Sequence, residues 1–274
     1  MTPAATAPPL LDLRHVSIRD RVSGKTLLRD VSFSLWPGQC LGITGESGSG
    51  KTLLCRAIMG LLPPALTAEG RACLDGTDML HADEALRRRQ RGSGMSAILQ
   101  QPATAFDPLY TIGDQLRETL CEKRALRRNQ AHAVARAALE DVNLPASVLT
   151  SYPHQLSGGM LQRCMIALSL ALQSRLVVAD EPTASLDARN QYAVVRRLLR
   201  MRDASGAMLI VVSHDLGVLQ MLADQLLVLR RGVCVEQGRA ADMLQHPRHD
   251  YTRHLVRTRL TVTRAFLRLM GRQA

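Results

Sequence analysis

Gly45-Glu46-Ser47-Gly48-Ser49-Gly50-Lys51-Thr52 is the stretch from which the rest of this 274-residue chain can be read. It fits the pattern G-x-x-x-x-G-K-[ST], and each residue type has a phosphate-binding reason. Glycines at 45, 48 and 50 let the backbone turn tightly and aim its N–H groups into a concave nest. Lys51 reaches the β- and γ-phosphates of a nucleotide, and the Thr52 hydroxyl suits Mg²⁺. The flanks agree. Cys40–Thr44 forms a short apolar strand leading in, and Leu53–Leu62 forms a helix whose positive end faces the phosphates. The stretch is a nucleotide site.

Downstream residues supply the rest of the chemistry. Ser96–Leu99 forms a strand that ends at Gln100-Gln101-Pro102. Open α/β sheets place ligand chemistry at such edges, so Gln100 is positioned for Mg²⁺ or the attacking water. Leu176–Ala179 is an unbroken apolar run ending in Asp180-Glu181, as a buried parallel strand does. Asp180 suits Mg²⁺ through water, and Glu181 suits polarising water for attack on the γ-phosphate. Met208–Ser213 forms another buried strand, and it delivers His214 to the same sheet edge. Leu156-Ser157-Gly158-Gly159-Met160-Leu161-Gln162-Arg163 opens a long apolar helix capped by Ser157. The exposed N–H groups at its positive end make a second anion site, suited to a partner's nucleotide.

Composition sets the bounds. Hydrophobic residues make up 46% and charged residues 22%, and no apolar run approaches the ~18 residues needed to span a bilayer. Met1–Pro9 has neither a basic start nor an apolar signal stretch and is expected to be disordered. Cysteines at 40, 55, 73, 121, 164 and 234 form no C-x-x-C pair, so reduced thiols in a cytoplasmic protein are expected. Net charge is +11, from 35 basic and 24 acidic residues, but aromatics at 3% are too few to grip single strands. Nucleic acid is therefore not the expected partner. The basic runs at Arg87–Arg91, Lys123–Arg128 and the C-terminus form a solvated basic face near lipid headgroups.

In order, Leu10–Ile18 and Val31–Leu35 alternate as half-buried strands, and Arg71–Gly76 forms a strand and turn. Residues 103–155 carry helical spacing at 113–128 and 130–142, broken by Pro145 and Pro153, and form a helical insertion. Phe106–Tyr110 offers two aromatics beside Gln100. Ser185-Leu186-Asp187 lies in a turn before a helix running to about Arg202. Val228–Gln237 makes a final hairpin, and the tail from Ala241 is mostly helical and basic.

Together these residues resemble the ATPase subunit of an ABC transporter, over about Leu10 to Leu255. The resemblance implies an α/β, P-loop NTPase (RecA-like) core at 10–102 and 164–240 with an N-terminal antiparallel β subdomain. A helical subdomain at 103–163 ends in the family signature, and 241–274 forms the tail. Gly45–Thr52 matches the Walker A loop, Gln100 the Q-loop, and Leu156–Gln162 the signature with Met160 after Ser157-Gly158-Gly159. Asp180 and Glu181 match the Walker B acid and catalytic base, Ser185–Asp187 the D-loop and His214 the switch histidine. Mg²⁺ then falls to Thr52, Gln100 and Asp180. The family pattern also implies ATP held between one subunit's Walker A loop and a second subunit's signature, with Gln162 in that signature. Its further partners are two membrane permeases, reached through Phe106–Tyr110, and an extracytoplasmic solute-binding protein. The chain would then sit peripherally on the cytoplasmic face of the inner membrane.

Gln100–Leu109, Ser157–Arg163 and His246-Pro247 with Tyr251-Thr252-Arg253 are similar to the dipeptide, oligopeptide and nickel importers of that family. The short tail and the run Ser157–Arg163 favour the nickel or metal–metallophore type, acting as one half of a heterodimer. One departure stands out. The family stacks adenine on an aromatic before the second strand, where this chain has Arg19, Asp20 and Arg21. A guanidinium stacking on the base is expected instead, with weaker selectivity for adenine.

Overall fold

The computed structural model describes residues 8–184 and 186–258. Its strands are β1 (Leu11–Asp20), β2 (Thr26–Leu35), β3 (Cys40–Gly45), β4 (Leu66–Leu74), β5 (Thr77–Asp78), β6 (Met95–Ile98), β7 (Leu176–Asp180), β8 (Met208–Val212), β9 (Gln225–Arg230) and β10 (Val233–Arg239). They form one sheet in the order β5-β4-β1-β2-β10-β9-β3-β8-β7-β6. Strands β6, β7, β8, β3 and β9 run parallel, and β1, β2, β4 and β5 pair antiparallel. The two parts meet at one parallel pairing, Val233 with Arg29.

The helices are α1 (Lys51–Ile58), α2 (Glu84–Arg89), α3 (Ile112–Arg124), α4 (Arg128–Asp141), α5 (Gly158–Leu172), α6 (Ala188–Ser205), α7 (Leu216–Leu222) and α8 (Ala240–Gln245), and residues 250–258 are helical as well. The central strands bury both faces, which is why they read as continuous apolar runs. Val177, Ala179, Leu209 and Val211 pack with α3 to α7, whereas Leu176, Val178, Ile210 and Val212 pack with α1, β1 and β2. Each strand thus divides its side chains between two cores, following the two-residue period.

Some boundaries move. Helix α1 stops at Ile58 rather than Leu62, because Gly60 takes φ +65 and Pro63-Pro64 follow. Strand β4 begins at Leu66, five residues before Arg71, and pairs with β1 across a bulge between Arg14 and Ser17. The basic run at Arg87–Arg91 straddles the end of α2 and a kinked turn over Gln90–Gly94 before β6. Residues 1–7, Ser185 and the tail beyond 258 lie outside the described residues.

Candidate nucleotide site

Four strand ends build the site. Strand β3 delivers Gly45 to the loop, β6 leads to Gln100, β7 ends at Asp180 and β8 leads to His214. These ends frame a cavity of about 530 Å³ lined by Gly45, Ser47, Gly48, Gly50, Lys51, Thr52, Gln100, Asp180, Glu181 and His214, with Leu27 and Leu53. The parallel register explains the convergence, since Ile43 pairs with Val212 and Asp180 with Val212.

The loop closes on itself. Lys51 Nζ donates to Gly45 O at 3.1 Å and Glu46 O at 2.7 Å, and Ser49 N donates to Glu46 O at 3.2 Å. Gly45 cannot be replaced without moving the loop, because a Cβ there would sit 2.1 Å from Leu229 O. Gly50, at φ +102, starts α1 with no side-chain cap, leaving its first N–H groups facing the cavity.

Glu181 and His214 are a hydrogen-bonded pair. His214 N donates to Glu181 Oε1 at 3.1 Å, and His214 Nδ1 meets Glu181 Oε2 at 2.8 Å. Glu181 takes φ +51, a left-handed conformation that costs a non-glycine residue about 1–3 kcal/mol. Its N–H bonds Val212 O at 2.9 Å, which holds that conformation in place. The Glu181 side chain is only 10% exposed, whereas that of His214 is 59% exposed. The imidazole is thus the more exposed member of the pair, and both line the cavity.

Asp180 is buried. Burial pushes its carboxyl above the ordinary carboxylate range, against a Thr52 hydroxyl bond and the Lys51 and Arg56 cations. One carboxylate oxygen, Oδ1, is buried with no hydrogen-bond partner, and so is the Ser49 hydroxyl. An orphaned carboxylate oxygen beside a threonine hydroxyl suits a divalent cation, and a glycine-rich nest beside a lysine suits a polyphosphate. The residues fit both groups.

Ser157, Gly158, Gly159, Gln162 and Asp187 sit elsewhere. Ser157 caps α5 by accepting from Met160 N at 3.3 Å, and Gly158 is exposed, with nothing within 4 Å of where its Cβ would be. Neither of these, nor Gly159, lines the cavity around Gly45–Thr52. Asp187 caps α6, accepting from Asn190 N at 2.9 Å. Gln162, expected in the signature, lies in α5. It is 1% exposed, and its Nε2 donates to Pro182 O at 3.1 Å, so it braces the turn after Glu181 from behind.

Arg19 lies 3.6 Å from Glu69, and neither it nor Arg21 lines the cavity. Leu27 does, a contribution no motif announces. Asp215 was missed as well. It caps α7 through Gly217 N at 2.8 Å and accepts Gln191 Nε2 at 2.9 Å, fixing the backbone beside His214. An acid directly after a candidate histidine and before an apolar helix is the signal that marks such a cap.

A phosphate nest, a buried acid beside a hydroxyl, and a glutamate gripped by a histidine define a P-loop nucleoside-triphosphatase. The sequence model of the family described as ABC transporter matches residues 28–184, and the chain belongs to that family. It is 38% identical over 263 residues to the metal-staphylopine import system ATP-binding protein of Staphylococcus aureus, covering 95% of this chain and 97% of that one. It is 38% identical to the probable D,D-dipeptide transport ATP-binding protein of Escherichia coli, over 89% of this chain and 76% of that one. Among solved structures, the post-hydrolysis dimer of the ATP-binding cassette MJ0796 bound to ADP and Pi is 25% identical. It superposes with a TM-score of 0.76 over 84% of this chain and 98% of that one. The chain is thus an ABC-type ATPase. Among the described residues no helix is long and apolar enough to cross a membrane.

Proposed function

We propose that this chain hydrolyses ATP to power import of nickel or a metal–metallophore complex, with dipeptide or oligopeptide import as the second reading. The observation carrying the first is the alignment with the metal-staphylopine protein, 38% identical over 263 residues. The peptide-system relatives from Escherichia coli and Lactococcus lactis align over 250 and 254 residues.

Glu181 acts as general base toward water, and His214 holds it through the 2.8 Å contact. Lys51 and the loop N–H groups bind the β- and γ-phosphates. Mg²⁺, held by Thr52, Asp180 and Gln100, neutralises charge on the phosphate oxygens when bound. Ser157, Gly158 and Gly159 face the ATP of a second ABC ATPase subunit in a heterodimer, and Asp187 lies in the same contact. The open space around Gly158 supports that placement. Two permease subunits and an extracytoplasmic solute-binding protein complete the assembly, peripheral to the cytoplasmic face of the membrane. The ATPase core comprises 10–102 and 164–240, and the helical subdomain 103–163.

The test is uptake of labelled nickel, with and without candidate metallophores, against labelled dipeptide, in cells carrying wild-type protein or Glu181→Gln. Loss of metal uptake alone establishes the first reading. Loss of peptide uptake alone replaces it with the second, and no change in either removes both.

A further inference from the structure

The turn between β9 and β10 abuts the phosphate loop. Gly232 N donates to Ser49 O at 3.1 Å, and Gly232 O accepts from Arg29 N at 2.7 Å. Gly232 takes φ +80, and a Cβ there would lie 2.3 Å from Leu27 O, so only glycine permits this approach. Two residues earlier, Arg230 holds its Nε 3.9 Å from Glu46 Oε1, inside the phosphate loop. The Arg230 guanidinium carbon lies 4.9 Å from the centre of the Tyr251 ring, and its Nε is buried without a hydrogen bond. Tyr251 belongs to the helical residues 250–258 and is 7% exposed. That segment is anchored to the same hairpin, since Arg248 N and His249 N donate to the Glu236 carboxylate at 2.9 and 3.0 Å.

Glu46 places a negative charge within a loop built for a polyanion. Left alone it opposes phosphate binding through space. Arg230 is a cation that faces its carboxylate, and the Tyr251 ring face holds that cation in place.

We propose that Arg230, seated on Tyr251, is a positioning residue that offsets the Glu46 carboxylate and so sets the affinity of the loop for ATP. The C-terminal segment thereby becomes a control element for nucleotide binding. The inference rests on the ATPase reading above. Displacing residues 248–252 frees Arg230, exposes the phosphates to Glu46 and weakens the nucleotide.

The test is ATP binding to the full chain by titration calorimetry in Mg²⁺ buffer, at low and high salt, with thermal melting as a control on folding. Arg230→Met is expected to weaken binding about three- to tenfold, the size of a partly exposed charge pair, and less at high salt. In a Glu46→Gln background the same change should cost less than about twofold, because the charge it compensates is gone. Tyr251→Leu should reproduce part of the loss, and Tyr251→Phe, which keeps the ring, should bind within about twofold of wild type. A purely structural role would lower the melting temperature of both Tyr251 variants without coupling to Glu46. Equal losses from Arg230→Met in the two backgrounds would overturn the proposal alone. Wild-type protein failing to bind ATP would overturn it together with the function on which it rests.

Discussion

Replacing Glu181 by Gln separates binding from chemistry, and the geometry says by how much. The side chain is 10% exposed and makes two contacts to His214, at 3.1 Å from its backbone N and 2.8 Å from its Nδ1. Glutamine has the same shape and keeps an oxygen for His214 N. Its amide group donates to Nδ1 of a neutral imidazole. The change thus exchanges a charge-assisted hydrogen bond for a neutral one, about 1 kcal/mol, or a few degrees of melting temperature. The reaction loses its base. General-base assistance contributes about 10²- to 10⁴-fold, or roughly 2.7–5.4 kcal/mol of barrier at 1.36 kcal/mol per decade. Single-turnover hydrolysis of radiolabelled ATP, run beside equilibrium ATP binding, reads both quantities. The expected pattern is binding within about threefold of wild type and hydrolysis at least about 100-fold slower. Turnover within about fivefold of wild type would refute the assignment of the base. A matching loss of ATP binding would show that Glu181 serves the ground state instead.

Three further outcomes follow from the geometry. Asp180→Asn relieves the burial of a carboxyl raised above its ordinary range, so the nucleotide-free protein should melt at a higher temperature. The same variant should lose the Mg²⁺ dependence of ATP binding that wild type shows on EDTA treatment, and a lower melting point would refute the burial argument. Glu236 titrates in the opposite sense. Burial raises its carboxyl, but the neighbouring Thr252 hydroxyl and the hydrogen bonds from Arg248 N and His249 N outweigh that and hold it below the ordinary 4.5. Its contribution is therefore complete above the unfolded value and is lost as pH falls through the folded one. The gap in melting temperature between wild type and Glu236→Gln should narrow as pH falls below the unfolded value of 4.5, and a pH-independent gap would contradict this. Finally, among the described residues the cavity lining carries Leu27 and no Phe, Tyr or Trp on which adenine could stack. ATP should be preferred over GTP by less than about a hundredfold, or roughly 2.7 kcal/mol, in competitive binding.

Much of this site was legible because its chemistry is local. Gly45–Thr52 is contiguous, Asp180-Glu181 closes an apolar run, and Ser157 caps its helix as a serine before glycines and an apolar stretch suggests. His214 was legible only through its place at a strand end, since a lone histidine carries no signal of its own. What escaped depends on tertiary approach. Gln162 sits inside a motif, yet Pro182, 20 residues away, claims its amide. Strand β4 extends back to Leu66 because β1 pairs with it across a bulge, and Leu66–Gly70 contributes only half-buried and exposed residues. Helix α1 was overdrawn to Leu62 because apolar spacing continues through Leu61, where Gly60 has already turned the chain. The contact of Arg230 with Tyr251 spans two elements that nothing in the sequence links.

The ten-stranded sheet ends in two very short strands, β5 with two residues and β6 with four. A free strand edge invites another chain to add a strand and build outward without limit. Here one border offers too little backbone to pair with. The other, β6, has Met95, Ser96 and Ile98 buried and lies against α5. Two such short borders give a second molecule little backbone with which to continue the sheet. The borders thus disfavour growth of the sheet into fibres.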